Sequence, residues 1–150
     1  MNTPIIYNSQ QYFPIENSVL VGGCFDLLHY GHLNFLKAAA QHGSVVVALE
    51  SDESITAAKK SPPIHTQQQR AEILSELRCV QQIICLPVLT TYEDYLGLVM
   101  VIKPKVLAIT EGDPQTENKK HQAKAVGAEI IVVNTLVDGL SSSLIRAKHL

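Results

Sequence analysis

From Ser18 onward, short apolar runs alternate with longer stretches of mixed polarity. The runs Val19–Gly22, Ser44–Leu49, Val80–Leu86, Val106–Ile109 and Glu129–Val133 are mostly rich in Val, Ile and Leu, and they read as strands buried on both faces. Between and after them, the segments Gly31–His42, Thr66–Leu77, Tyr92–Ile102, Glu117–Val126 and Ser142–His149 carry helical patterns. Thr66 is a candidate helix cap, Pro104 stops the helix before it, and Gly127 is a candidate C-terminal glycine. This alternation predicts an α/β fold with a five-stranded, mainly parallel sheet covered on both faces. Residues 1–17 mix Asn, Gln, Ser and Tyr with two prolines and read as an extended N-terminal arm, and residues 18–150 read as one domain.

The first strand ends in Gly22-Gly23-Cys24-Phe25-Asp26-Leu27-Leu28-His29-Tyr30-Gly31-His32, where a turn leads into a helix start flanked by two imidazoles. Free N–H groups and the positive end of the helix dipole suit a phosphate at such a place, and two histidines can add donors. In parallel sheets ligands bind beyond the carboxyl ends of the strands, which is where this turn falls. His29 and His32, three apart, lie on one side of a starting helical turn, and no neighbouring carboxylate or histidine makes them a persuasive metal pair.

Composition narrows the partners. A 150-residue chain is long enough for one substantial core, and a formal charge of −2 provides no basic field for nucleic acid. No apolar run approaches a membrane span, and the first residues lack the basic start of a signal peptide. Cys24, Cys79 and Cys85 form no C-x-x-C pair, which argues against zinc and disulfide frameworks and fits a reducing cytoplasm. Cys24, close to a helix start, is either a reactive thiol or, the favoured reading, a small residue packed behind the turn.

The segment Gly-Cys-Phe-Asp-Leu-Leu-His-Tyr-Gly-His resembles the H-x-G-H signature of the cytidylyltransferase-like nucleotidyltransferases, and the resemblance runs from about Val19 to Arg146. It implies a Rossmann-like three-layer fold and transfer of a nucleotidyl group from ATP or CTP to a phosphorylated small molecule, with release of pyrophosphate. It implies that Gly23, Cys24, Phe25, Asp26, His29 and His32 surround the nucleotide phosphates. Either Lys59 or Lys60 would meet those phosphates, with Arg70 supporting the acceptor side, since Pro63-Ile64 before Gln67-Gln68-Gln69-Arg70 resembles the adenylyltransferase pattern. Asp113, in Thr110-Glu111-Gly112-Asp113, would lie by the nucleotide's sugar and base. This segment has neither the Asp-Asp-Trp of the glycerol-phosphate enzymes nor the Gly-Gly-Asp-Tyr of the heptose enzymes, and turn chemistry alone also explains it. Gly139-Leu140-Ser141-Ser142-Ser143-Leu144-Ile145 resembles the family's closing motif, so Ser141, Ser142 and Ser143 would hold the β- and γ-phosphates. Arg146 would either join them or face solvent.

Mg2+ is expected to arrive with the triphosphate, with no dedicated metal cage. Cys24 and Pro63-Ile64 favour ATP over CTP, and sugar phosphate, polyol phosphate and flavin mononucleotide remain open as acceptors. The resemblance implies a homodimer, and the cysteine usage a cytoplasmic location. Tyr92 and Tyr95 read as packing or pocket-wall residues, and Glu117–Lys120 as an exposed helical face. The alternative is a non-catalytic nucleotide-binding regulatory or scaffold subunit on the same fold. An RNA-binding module is disfavoured by the absence of a basic surface.

Overall fold

The computed structural model describes residues 3–11 and 14–133. The helix expected over Ser142–His149, Ser141–Ser143 and Arg146 lie outside those residues. The six strands are β1 (Ile5–Ile6), β2 (Ser18–Gly23), β3 (Ser44–Leu49), β4 (Val80–Cys85), β5 (Val106–Thr110) and β6 (Glu129–Val133). They form one all-parallel sheet in the order β1-β4-β3-β2-β5-β6. The helices are α1 (Tyr30–Ala40), α2 (Asp52–Lys59), α3 (Gln67–Ser75), α4 (Tyr92–Ile102) and α5 (Thr116–Val126). The class is the expected Rossmann-like one, but the described residues already form six strands instead of the five expected.

The sixth strand comes from the N-terminal arm. Ile5 and Ile6 pair with Ile84 and Cys85, and the Tyr7 N–H continues the ladder to the Cys85 carbonyl at 3.0 Å. A two-residue edge strand next to proline has no alternation to read, and it leaves Ile6 81% exposed. The second addition is α2. It is eight residues long with one buried residue, Ile55, too short for a repeating apolar stripe, but Ser51 caps it and Asp52 and Glu53 fill its first turn.

Alternation along each strand divides the core. Val19, Val21, Val45, Val47 and Leu49 face α1 and α3, meeting Phe35, Leu36, Ala39, Ala71 and Leu74. Leu20, Val46, Ala48, Ile84 and Leu107 face the other side, meeting Leu98, Val99 and Ile102 of α4 and Ala123 of α5. The chain winds outward from β2 to β4 and then returns to β5 beside β2, so β2 sits at the topological switch point. Thr66 caps α3 as expected, its hydroxyl accepting the Gln69 N–H at 3.2 Å while the Gln69 side chain accepts the Thr66 N–H at 3.0 Å. The α4 helix ends at Ile102, two residues before Pro104, and Gly127 takes the left-handed cap after α5.

Candidate active site

The turn after β2 is held in an uncommon conformation. Phe25 and Leu27 both have positive φ, 48° and 50°. Each costs about 1–3 kcal/mol in a non-glycine residue, and such strain persists where surrounding contacts impose it. Asp26 lies between them, 3% exposed, and its carboxylate accepts the Ile64 N–H at 2.7 Å and the His65 N–H at 3.0 Å. The turn is thereby fastened to the segment before α3. The Phe25 ring folds back over Gly23, where any Cβ would stand 2.9 Å from it.

The two histidines then close the turn on α1. His29 is the N-cap residue, and its Nδ1 accepts the Gly31 N–H at 3.1 Å. His32 reaches back, its Nδ1 accepting the His29 N–H at 3.2 Å, which makes a capping box built from imidazoles. The rings stack, with centroids 3.9 Å apart and planes 21° from parallel. A Cβ on Gly31 would sit 2.9 Å from the His29 ring, so any larger residue there would push the imidazole from its capping position.

This geometry fixes the protons. A backbone N–H can only donate, so each Nδ1 is bare and the neutral ring carries its proton on Nε2. Burial lowers the pKa of His29; burial, then the charges of His29 and Lys59, bring His32 down to about 4 against the opposing pull of Asp26. Near pH 7 the pair is two stacked, neutral Nε2–H donors at a helix N-terminus.

The expected cations separate. Lys59 and Lys60 end and cap α2, both exposed. It is Lys59 whose charge reaches His32 and Cys24. Arg70 is placed differently from the expectation of an acceptor contact. Its side chain is fully buried; Nε donates to the His65 carbonyl at 3.1 Å, Nη1 to the Cys24 and Glu50 carbonyls at 2.8 and 2.9 Å, and Nη2 to Asp52 at 2.6 Å. The guanidinium ties together the ends of β2 and β3 and the entry to α3, which makes Arg70 a positioning residue. Gln67 does related work, donating to the Leu49 and Leu86 carbonyls at 3.0 and 2.9 Å. Cys24 is half-buried, and burial above all pushes its thiol up, which disfavours the reactive-thiol reading.

Asp113 forms a local turn: it accepts the Gln115 N–H at 2.7 Å and pairs with Lys119 at 2.6 Å. Lys119 is therefore drawn off the exposed face expected of Glu117–Lys120 and lines a cavity with Glu50, Tyr95 and Gln122. Tyr95 does form a pocket wall. Glu50 went unnoticed in the sequence, where one acidic residue at a strand end carries no pattern; Gln122 likewise read as one more polar helix residue. Among the described residues no three His, Cys, Asp or Glu side chains converge to hold a metal ion, and no helix is long and apolar enough to cross a membrane.

Comparison with known proteins places the chain in context. A model of the cytidylyltransferase-like family matches residues 20–148. Over 117 residues the chain is 34% identical to the FAD synthase of Pyrococcus horikoshii, covering 77% of each protein. It is 36% identical over 131 residues to the bifunctional protein HldE of Helicobacter hepaticus, which covers 86% of this chain and 26% of HldE. The pantoate-beta-alanine ligase of Francisella tularensis superposes with a TM-score of 0.67 over 99% of this chain and 74% of the ligase chain, at 21% identity. That last likeness is one of fold.

Proposed function

The chain belongs to the cytidylyltransferase-like family, and we propose that it transfers a nucleotidyl group from ATP, or less favourably CTP, to a phosphorylated small molecule. An oxygen of the acceptor phosphate attacks the α-phosphorus, the bond from that phosphorus to the bridging oxygen breaks, and pyrophosphate leaves. No protein nucleophile is needed, so the protein's task is positioning and charge stabilisation. The observation that carries this reading is the stacked pair His29 and His32, each bound through Nδ1 to a backbone N–H and presenting Nε2–H. Such fixed donors suit the charge that builds on phosphate oxygens in the transition state. Lys59 adds an exposed cation from the end of α2, in place of the undivided pair Lys59 and Lys60. Ser141, Ser142 and Ser143 complete the phosphate site in this proposal, and Mg2+ enters as part of the triphosphate substrate. The FAD synthase and HldE likenesses make flavin and sugar phosphates the first acceptors to try.

Pyrophosphate release with Mg2+ tests the reading, pairing ATP and CTP with FMN, heptose 1-phosphate and glycerol 3-phosphate. Release dependent on one nucleotide and one acceptor is expected. Tight nucleotide binding without release from any pair favours the regulatory subunit, and absence of nucleotide binding contradicts both.

A further inference from the structure

On the α4 and α5 side of the sheet, beneath the carboxyl ends of β2, β3 and β5, lies a cavity of about 160 Å³. Its walls are apolar, with Leu20, Ala48, Leu98 and Leu107 among them, and its polar groups are Glu50, Tyr95, Lys119 and Gln122. Glu50 Oε1 accepts the Tyr95 hydroxyl at 3.0 Å, while Oε2 is buried and has no hydrogen-bond partner among the described residues. A buried carboxylate oxygen without a donor favours any ligand that brings an N–H or O–H to it, and it repels phosphate. With Lys119 already paired to Asp113, these groups favour the uncharged end of a substrate whose phosphate lies elsewhere.

The phosphate site is next door. The Glu50 N–H donates to the Gly23 carbonyl at 3.0 Å, and Arg70 Nη1 joins the Glu50 and Cys24 carbonyls, so the cavity and the histidine-bearing turn share one frame. Lys119, paired with Asp113, and Gln122, bonded to the Tyr92 carbonyl, keep further N–H groups on the cavity wall beside the acceptor Glu50, and a ring N–H flanked by carbonyl oxygens complements that set. Apolar walls match the faces of such a ring and offer nothing to a polyol. A cavity of about 150 Å³ holds a benzene-sized ring. An adjoining depression of about 350 Å³, which shares Glu50, Tyr95, Lys119 and Gln122, leaves room for the rest of a fused system.

We propose that this cavity is the acceptor's specificity site and takes a planar ring with an imide edge, Glu50 accepting from the ring N–H. The inference rests on the nucleotidyl-transfer reading above and narrows its acceptor to a ring-bearing phosphate in preference to a polyol or sugar phosphate.

Calorimetric titration of FMN, whose fused ring has this edge, tests the inference on the full chain with and without a non-hydrolysable ATP analogue. The expected result is FMN binding to the wild type, weaker by about tenfold in Glu50→Gln and about a hundredfold in Glu50→Leu, the scale of a hydrogen bond to a charged group. FMN methylated on the imide nitrogen should bind as poorly as Glu50→Leu binds FMN, and affinity for the ATP analogue should stay within about twofold in both variants, given the separate phosphate site. Thermal melts verify that each variant folds, with Glu50→Gln as the conservative control. FMN failing to bind a wild type that binds the ATP analogue overturns the inference, as does equal FMN binding in all three proteins or a loss confined to the ATP analogue. A wild type that binds neither ATP nor CTP overturns the nucleotidyl-transfer reading itself.

Discussion

The loops after β2 and β5 each present an aspartate near a helix start, and the two are held in opposite ways. Asp26 is buried and spans to Ile64 and His65, nearly forty residues away, with a left-handed residue on either side. Asp113 bonds within its own turn, to Gln115 and to Lys119 one helical turn further on. Ordinary turn chemistry explains the second arrangement completely. The first requires strain sustained by distant contacts, and strain of that kind collects where a functional group must stay in place. The histidine pair stands where the first loop enters α1.

The contrast can be broken by mutation. Arg70 supports the β2 loop through three backbone carbonyls and Asp52, so Arg70→Ala should cost about 3–5 kcal/mol in urea denaturation, the scale of removing one partner from a buried charge network. Replacing His29 or His32 by Ala should lower turnover by about two to three orders of magnitude in pyrophosphate release, the scale for losing a transition-state donor. Near-normal turnover in both single variants would remove their proposed role. Asp26→Asn should cost about 1.5–3 kcal/mol of stability, because two backbone N–H groups lose a charged acceptor. Asp113→Asn, in the same denaturation assay, should cost about 1 kcal/mol or less, since its ion pair is local and partly exposed. If the two aspartates cost the same, the contrast between a strained site loop and a plain turn is wrong.

A gentler effect concerns pH. The His32 pKa falls from 6.5 unfolded to about 4 folded, mainly through burial. The folded state thus binds fewer protons below pH 6.5, so stability should be full above that value and decline as pH drops toward about 4. Melting temperatures across that range should follow this slope, and His32→Gln should flatten it.

Much of this was legible in the sequence for a physical reason: strands buried on both faces leave unbroken apolar runs, and Thr66, Pro104 and Gly127 act locally. The two additions lacked such signals. Ile5–Ile6 is too short to alternate, and α2 buries Ile55 alone. Its Ser51 cap and acidic first turn were the available clue. The site was legible where chemistry and spacing coincide, as in His29-x-Gly31-His32. It was not where a role depends on the tertiary environment: an arginine in a helical segment looks the same whether it faces a ligand or, like Arg70, is buried among carbonyls. Glu50 and Lys119 likewise acquire their surroundings from strands and helices distant in the chain.

Whether His29 and His32 present two neutral Nε2–H donors can be read from 15N NMR of the imidazole nitrogens at pH 7. Both rings should be neutral, with the proton on Nε2 and Nδ1 bare. A proton on Nδ1 of either ring, or an imidazolium at that pH, would contradict that assignment.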